Sequence, residues 1–422
     1  MDNPEAAVIV PVMTMDCDIL IVGGGLNGPA LALALADTGH AVTVIDALPV
    51  ETRAMPDFDG RAYALALASG RLLGTIGIWP QVAEAAQPIL DIKVSDGHAG
   101  SGASPFFLHF DHAEIEEGPM GHLVEDRHLR RAFLDAMAEH PAITQINGHK
   151  VVAQAAAQGA PGITVTLDDG RVLSGRLLVG SDGRGSGTAT RAGIRRTGWT
   201  YDQTALVCAV AHEKPHHGIA HQFFMPAGPL AILPLTGNRS SIVWTERRAL
   251  AAQIQAMADD DYLDALRPRF GDFLGPITLA GQRFTYPLGL SLAQSFVDHR
   301  VALIGDAAHG VHPIAGQGLN AGLRDVAALA EVITLANRRG EDIGARNVLA
   351  RYQQWRRFDT TTLAMATDGF NRLFSNDNTI LRAGRDIGLG LVAKFPRLRR
   401  AFIREAAGLT GDLPKLMQGR PI

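Results

Sequence analysis

The sequence predicts an α/β protein with a β-rich layer inserted into it and a helical segment at its C-terminal end. An apolar run, a glycine-rich turn and an alanine-rich helix follow one another from residue 19 and again from residue 301. Between these two units, residues 197–290 show strand-like alternation bounded by proline and glycine, with a helical insert at about 247–270. A chain of 422 residues is long enough for both layers.

Composition excludes several classes of protein. Apolar residues make up 46% of the chain and charged residues 19%, as in ordinary globular proteins. The net charge of −4 does not indicate a nucleic-acid-binding protein.

Cys17 and Cys208 are expected to be buried core thiols. No stretch approaches the length of a membrane span, and residues 1–15 form a loose leader without a basic signal region, so we expect a cytoplasmic protein. His309 and His312 have no neighbouring carboxylate or cysteine in the sequence, so no metal site is expected.

The first glycine-rich turn has the pattern of a Rossmann-like dinucleotide site. Gly23, Gly25 and Gly28 supply G-x-G-x-x-G directly after the apolar run 19–22 and at the start of a helix. Asp46 ends the next predicted strand, where an acid holds a ribose 2′-hydroxyl. The pattern favours the adenosine half of FAD or NAD over a 2′-phosphorylated cofactor, and a purely structural glycine turn is the alternative.

The second glycine-rich turn follows the strand 301–304 and leads into a helix that begins near 318–320. A helix N-terminus offers free N–H groups and partial positive charge. We therefore expect Asp306 to accept hydrogen bonds from a ribityl chain, and the amides of residues 316–320 to lie where a reduced isoalloxazine carries negative charge. The two turns would hold the two ends of one FAD.

Three motifs in order carry a family resemblance: G-x-G-x-x-G at 23–28, "GSDGRGS" at 180–186 and "GDAAHGVHPIAGQGLNAGLRD" at 305–325. Together they resemble the single-component FAD-dependent aromatic hydroxylases, the flavoprotein monooxygenases related to para-hydroxybenzoate hydroxylase. Within that family, "RAYALALASGRLL", "MGHLVED" and "HPIAGQGLNAGLRDVAALAEVI" most resemble the ring hydroxylases of ubiquinone biosynthesis. The likeness runs from about residue 16 to beyond residue 380.

The resemblance implies a role for each matching residue. The adenosine half of FAD would contact Gly23, Gly25, Gly28 and Asp46. Arg61 would lie near the pyrophosphate, and Asp182 and Gly183 would serve both FAD and the nicotinamide cofactor. The ribityl chain and flavin ring would contact Gly305, Asp306, Gly316, Gly318, Leu319 and Asn320, with Pro313 facing the substrate. Many relatives have arginine or glutamine where this chain has Asp126, so the expected FAD contact of the following Arg127 departs from the family pattern.

The implied activity is an FAD-dependent monooxygenase that hydroxylates a polyprenylated phenol with NAD(P)H and O₂ through a C4a-hydroperoxyflavin. No catalytic side chain is assigned, because the flavin carries the chemistry. Candidate pocket walls are 201–206, 221–235 and 284–290, with plain sheet core as the alternative. Two other functions stay open: an FAD-dependent reductase or dehydrogenase of an isoprenoid, and a non-enzymatic escort-type protein, against which the intact glycines, Asp46 and Asp306 speak.

The expected domains are discontinuous. An FAD-binding domain would comprise 16–92, 120–196 and 295–340, a β-rich substrate domain 93–119 and 197–294, and a C-terminal helical region 341–422. The segment 380–409 interleaves apolar and basic residues and is divided by Pro396. This pattern is typical of a helix that lies peripherally on an anionic membrane, here the inner face, or that docks on a biosynthetic protein complex. Packing against the FAD domain is the alternative.

Overall fold

The computed structural model describes residues 15–98, 102–156, 161–310, 317–357 and 395–422, together with positions 359 and 365. Over these residues the chain forms three sheets and several helices in a mixed α/β arrangement. The predicted fold class is confirmed. Among the described helices, none combines the length and the apolar composition needed to cross a membrane.

The first sheet, counted over the described residues, has eight strands with the order β18-β19-β11-β1-β2-β8, and β10 and β9 continue from β11. Its strands are β1 (Cys17–Val22), β2 (Val42–Asp46), β8 (Ile143–Asn147), β9 (Val151–Ala155), β10 (Ile163–Leu167), β11 (Val172–Gly180), β18 (Val297–Asp298) and β19 (Val301–Leu303). The central strands are parallel and residues 19–22 of β1 are buried, which explains the continuous apolar run there. A hairpin across Asp169-Gly170 joins β10 and β11.

The second sheet has nine strands over the described residues, and the order β20-β17-β12-β15-β14-β13-β5-β6, with β16 paired to β12. Its strands are β5 (Asp91–His98), β6 (Gly102–Asp111), β12 (Arg196–His212), β13 (Ile219–Met225), β14 (Gly228–Leu235), β15 (Arg239–Arg247), β16 (Ile277–Leu279), β17 (Phe284–Ala293) and β20 (His309–Gly310). Helices α7 (Arg248–Gln255) and α8 (Asp259–Phe270) cover one of its faces with an apolar core.

A small third sheet consists of β3 (Ala62–Ala66), β4 (Gln87–Ile89) and β7 (Gly121–Glu125). The other described helices are α1 (Asn27–Ala36), α2 (Val50–Arg53), α3 (Leu67–Thr75), α4 (Trp79–Val82), α5 (Asp126–Glu139), α6 (Gly187–Arg191), α9 (Gln317–Arg338), α10 (346–357) and α11 (Pro396–Ala406). The largest core packs α1, α3, α5 and α9 around the first sheet.

Two sequence interpretations need comment. Leu65, Leu72, Leu73 and Ile76 have helical spacing in the sequence, but Leu65 lies in β3 and the helix begins at Leu67. Pairing of β3 with β7 over five residues outweighs the local helical pattern there. The prediction that Cys17 and Cys208 are buried thiols is confirmed, and burial raises the pKa of the Cys208 thiol to about 11.

Candidate cofactor site

The three sequence motifs follow three adjacent parallel strands. Val22 of β1 is paired with Gly180 of β11, and Gly180 with Leu303 of β19, so the three strands end in one row. On the other side of β1, Val22 is paired with Ile45, which places Asp46 at the same edge. Ligands of open α/β sheets bind outside the carboxyl ends of the strands, where these motifs meet.

The glycines of the first turn differ in their surroundings. A Cβ on Gly23 would overlap the carbonyl oxygen of Ser181, and a Cβ on Gly28 would overlap the carbonyl oxygen of Gly23. Gly23 also has a φ of 110°, which side-chain-bearing residues rarely adopt. A Cβ on Gly25 would meet nothing within 4 Å. Two glycines are therefore required by packing, while Gly25 faces open space that a pyrophosphate can enter.

Asp46 is fixed in place at the end of β2. Its Oδ2 accepts a hydrogen bond from the backbone N–H of Gly24 at 2.5 Å, and its Oδ1 accepts one from Leu48 at 2.7 Å. Each carboxylate oxygen keeps a second lone-pair position for a ribose hydroxyl.

Arg53 is a residue of this edge that sequence reasoning missed. Its guanidinium is buried, donates a hydrogen bond to the Gly24 carbonyl at 2.8 Å and contacts Asn147, with Nε 3.9 Å from Asp46 Oδ1. Burial lowers the pKa of Arg53, and its buried Nε donates no hydrogen bond to any residue that the structure describes. The sequence offered one signal, an arginine shortly after the second strand, which by itself resembles a surface charge.

The second turn is held by arginines from two directions. Arg196 of β12 donates hydrogen bonds to the carbonyl oxygens of Asp306, at 3.1 Å, and of Ala307. The Asp306 carboxylate is 45% exposed and lies 3.2 Å from Nε of Arg184, which belongs to the "GSDGRGS" motif. Its oxygens are therefore accessible to a ribityl hydroxyl.

A buried ionic network lies behind this turn. Asp325 of α9 accepts hydrogen bonds from the backbone N–H of Gly305 at 2.9 Å, from His309 Nε2 at 2.6 Å and from Arg356 Nε of α10 at 2.8 Å. His309 has no neighbouring carboxylate in the sequence, but the structure places Asp325, 16 residues away, in contact with it. Burial raises the pKa of Asp325, but His309 and Arg356 outweigh it, and the pKa lies below its ordinary value.

Two asparagines join the parts of the site. Asn320 accepts hydrogen bonds from Ala66 N and Ser69 Oγ, both at 2.8 Å, and donates one to Ala64 O, which ties the start of α9 to β3 and α3. Asn27 stands between the two turns, since a Cβ on either Gly305 or Gly322 would overlap its amide. The Oδ1 atom of Asn27 is buried and accepts no hydrogen bond from the described part of the chain.

The remaining expected site residues are distributed as follows. Asp182 accepts hydrogen bonds from Ser186 Oγ and from Thr188 N and Oγ1, and so caps α6, while the adjacent Gly183 has a φ of 78°. Gly318 and Leu319 are half-buried in the first turn of α9. Pro313 and Gly316 lie outside the described residues, as does His312.

Both expected arginine contacts are engaged by neighbouring groups. Arg61 lies 2.5 Å from Asp59 and 3.3 Å from Asp126, and its guanidinium is 5.5 Å from the centre of the Phe284 ring. Arg127 donates hydrogen bonds to Glu125 at 2.8 Å and to a backbone carbonyl at 3.0 Å. In this structure neither side chain contacts the glycine turn, so an FAD contact from either stays a prediction.

Among the described residues, one group has the geometry of metal ligands: His149, between β8 and β9, with Asp168 and Asp169 of the β10–β11 hairpin. Both aspartates are exposed, and Asp169 also accepts a hydrogen bond from Arg171 at 2.6 Å. Exposed acidic groups at a turn do not by themselves make a metal site.

The residues present fit FAD. Open space beside Gly25, an anchored carboxylate at Asp46 and an accessible one at Asp306 lie on one sheet edge, joined by Asn27 with its unpaired oxygen. This arrangement provides a groove for a pyrophosphate and polar groups for a sugar on each side of it. The prediction of two turns serving one extended cofactor rests on this geometry.

Comparison with known proteins settles the family. The FAD binding domain family matches residues 16–365. The chain belongs to this family. It is 47% identical over 408 residues to ubiquinone hydroxylase UbiL of Rhodospirillum rubrum, covering 96% of this chain and 93% of that protein. It is 35% identical over 395 residues to 3-demethoxyubiquinol 3-hydroxylase of Escherichia coli, covering 93% of this chain and 98% of that protein.

Solved structures support the same fold. The p-nitrophenol 4-monooxygenase PnpA of Pseudomonas putida matches with a TM-score of 0.78 at 21% identity, covering 93% of this chain and 98% of that one. The resemblance to FAD-dependent aromatic hydroxylases and the prediction of FAD as cofactor are thereby confirmed.

Proposed function

We propose that this protein is an FAD-dependent monooxygenase that hydroxylates the aromatic ring of a polyprenylated phenol in ubiquinone biosynthesis, with NAD(P)H and O₂ as co-substrates. The observation that carries the proposal is the meeting of three cofactor motifs at one sheet edge in a chain similar, over nearly its whole length, to ubiquinone hydroxylases. The proposed FAD-binding domain is 16–92, 120–196 and 295–340. Pairing of β5 with β13 supports a substrate domain that includes 93–119 with 197–294.

FAD supplies the electron transfer and the oxygen activation when it is bound. The chain would position it and keep the reaction away from water. Asp46 would hold the adenosine ribose, and Asp306 the ribityl chain. Asp325 and Arg196 hold the turn that carries Asp306, and Asn320 holds the start of α9. These contacts preorganise the site because each is made by a buried or half-buried group.

The similarity favours hydroxylation over the two alternatives. The Rhodospirillum rubrum and Escherichia coli relatives are named as hydroxylases, which speaks against a reductase of an isoprenoid. An escort protein without flavin would have no need of the open space at Gly25 or of the anchored Asp46 carboxylate.

Product analysis under ¹⁸O₂ tests the proposal. Purified holoprotein is supplied with NAD(P)H and 2-geranylphenol, and the products are analysed by mass spectrometry. One ¹⁸O atom on the ring is expected for a monooxygenase. Reduction of the substrate without oxygen incorporation would refute the proposal in favour of the reductase.

We also propose that α11 brings the enzyme peripherally to an anionic membrane. Phe395, Leu398 and Phe402 are 58%, 44% and 40% exposed, while Ile403 is buried against the second and third sheets. Arg399 is paired with Glu114 at 2.7 Å, which fixes the helix to the domain. One side of the helix therefore packs on the core, as the alternative expected, and the other presents aromatic and basic side chains to solvent. Burial of that apolar surface and attraction to anionic lipid would act together.

The structure sharpens the test of this association. Arg397→Glu/Arg400→Glu reverses two charges and leaves the Arg399–Glu114 pair intact. Sedimentation with anionic vesicles should fall in this variant. Sedimentation of the wild type should also fall in about 0.5 M salt, because salt screens the attraction between the arginines and the anionic lipid. Arg131→Glu, at an exposed position on α5, is the matched control and should sediment like the wild type. Salt-independent sedimentation of all three proteins, or none by any, would refute a membrane role. Selective capture of another protein would indicate the biosynthetic complex instead.

A further inference from the structure

The two faces of the second sheet are covered differently. Side chains such as Leu206, Phe223, Leu230 and Trp244 point to one face and are buried against α7 and α8. The residues that alternate with them point to the opposite face, because successive side chains of a strand alternate. At the centre of a nine-stranded sheet these residues would also be buried if another layer covered them.

One row across that opposite face is only half-buried. Direct cross-strand partners in this row are Phe284, Val207, Val243, Ala231, Gln222 and Val94. Each is of intermediate exposure although it lies on interior strands or next to them. The row therefore lines an open space along six strands, and its wall is apolar except at Gln222.

The open row faces the cofactor-binding layer. At one end, Arg61 lies over the ring of Phe284. In the neighbouring row on the same face, Ala209 and Ala220 are buried in a cluster with Met120 and Leu123 of the third-sheet region. The space is thus bounded by the sheet on one side and by the FAD-binding layer on the other.

Gln222 is the polar exception in this wall. Its side chain makes no hydrogen bond with the part of the chain that the structure describes, so its carbonyl can accept and its amide can donate. An amide enclosed by apolar groups and a bound ligand loses its water, and it is stabilised only if the ligand supplies a partner. The oxygen of a phenolic ring can donate to the carbonyl and accept from the amide.

We propose that Gln222 is the residue that orients the substrate ring, by hydrogen bonding to the ring oxygen, and so selects which carbon faces the flavin. This proposal rests on the proposed function, and it adds a specificity-determining residue to a row whose other members are apolar. The apolar residues of the row would contact the ring and the first isoprene unit, and Gln222 would fix the orientation of the ring.

The test compares two ligands and three proteins. The ligands are 2-geranylphenol and geranylbenzene, which lacks the oxygen, and the proteins are the holoenzyme, Gln222→Met and Gln145→Met. Gln145 is a half-buried glutamine on the edge strand β8 and serves as the matched control. Dissociation constants are measured by calorimetry without NAD(P)H, and FAD content is measured for each protein.

The wild type and Gln145→Met should bind the phenol about tenfold more tightly than geranylbenzene, which corresponds to one hydrogen bond in an enclosed site. Gln222→Met should keep its FAD and bind the two ligands within about twofold, and under ¹⁸O₂ it should give more than one ring isomer. An unchanged tenfold preference and a single isomer in Gln222→Met would overturn the role of Gln222 alone. Absence of ring-incorporated ¹⁸O in the wild type would overturn the proposed function and this proposal together.

Discussion

Asp325→Asn perturbs the buried network behind the second turn without changing side-chain volume. The wild-type carboxylate is fully buried, and it serves three donors: the Gly305 N–H, His309 and Arg356. The Arg356 side chain is 2% exposed, so it cannot regain water in place of the lost charge. Removing one partner of a buried ion pair costs about 3–5 kcal/mol. Because Arg356 also pairs with Asp359 at 3.0 Å, we expect the loss of unfolding free energy to lie at the lower end of this range, about 3 kcal/mol.

Urea unfolding followed by tryptophan fluorescence and circular dichroism measures this cost. Asp135→Asn is the matched control, because Asp135 pairs with Arg131 at 2.7 Å on the surface of α5, where both side chains are at least 47% exposed. The control should change the free energy of unfolding by no more than about 0.5 kcal/mol. Equal, small losses in both variants would show that the network does not stabilise the fold, and the reasoning would be wrong.

The pH dependence gives an independent check. The pKa of Asp325 is lower in the folded protein than in the unfolded chain, so its contribution is fully present above the unfolded pKa of about 3.9. The contribution is lost as the pH falls through the folded pKa. The difference in unfolding free energy between wild type and Asp325→Asn should therefore be constant at neutral pH and shrink below about pH 4.

Three other predictions concern the same molecule. Asp306→Ala should stay folded but bind FAD about ten- to a hundredfold more weakly, as measured by flavin retention. Normal flavin retention would contradict the proposed contact of Asp306 with the ribityl chain. Gly28→Ala should lower the melting temperature of the FAD-free protein, because the new Cβ would overlap a carbonyl oxygen. Gly25→Ala should leave that melting temperature unchanged and weaken FAD binding. Equal losses of melting temperature in the two variants would contradict this prediction. Burial lowers the pKa of His221 to about 4. The unfolded chain therefore binds a proton at this histidine that the folded protein does not bind, and the free energy of unfolding falls as the pH falls from about 6.5 to 4. His221→Phe should reduce that loss, and an unchanged pH profile would refute it.

Local signals in the sequence were sufficient for the elements and for the glycine turns. The apolar run of β1, the glycines after it and Asp46 are close in sequence, and their spacing alone defines a strand, a turn and a ribose contact. The half-open row that contains Gln222 was not predictable in this way. Its members come from six strands, and their common face depends on the register of five pairings.

The ionic and polar supports of the site were also beyond sequence reasoning. Arg53 reaches Gly24 and Asn147 across a sequence distance at which no local pattern operates. Asp325 lies 16 residues after His309 in the sequence, so His309 looked isolated. Periodicity states which face of an element is apolar, but it does not state which buried charges from different elements will meet. Such pairs are set by tertiary packing.

The distance between the two glycine turns is set by that packing too. The turns lie far apart in the sequence, yet their strands β1 and β19 are separated in the described sheet by β11 alone. Asn27, in the first turn of α1, fills the gap, and it fits only because Gly305 and Gly322 lack side chains. A methyl group at either glycine would push the second turn away from the first. A single amide packed against two glycines therefore keeps the first and second turns adjacent in the structure.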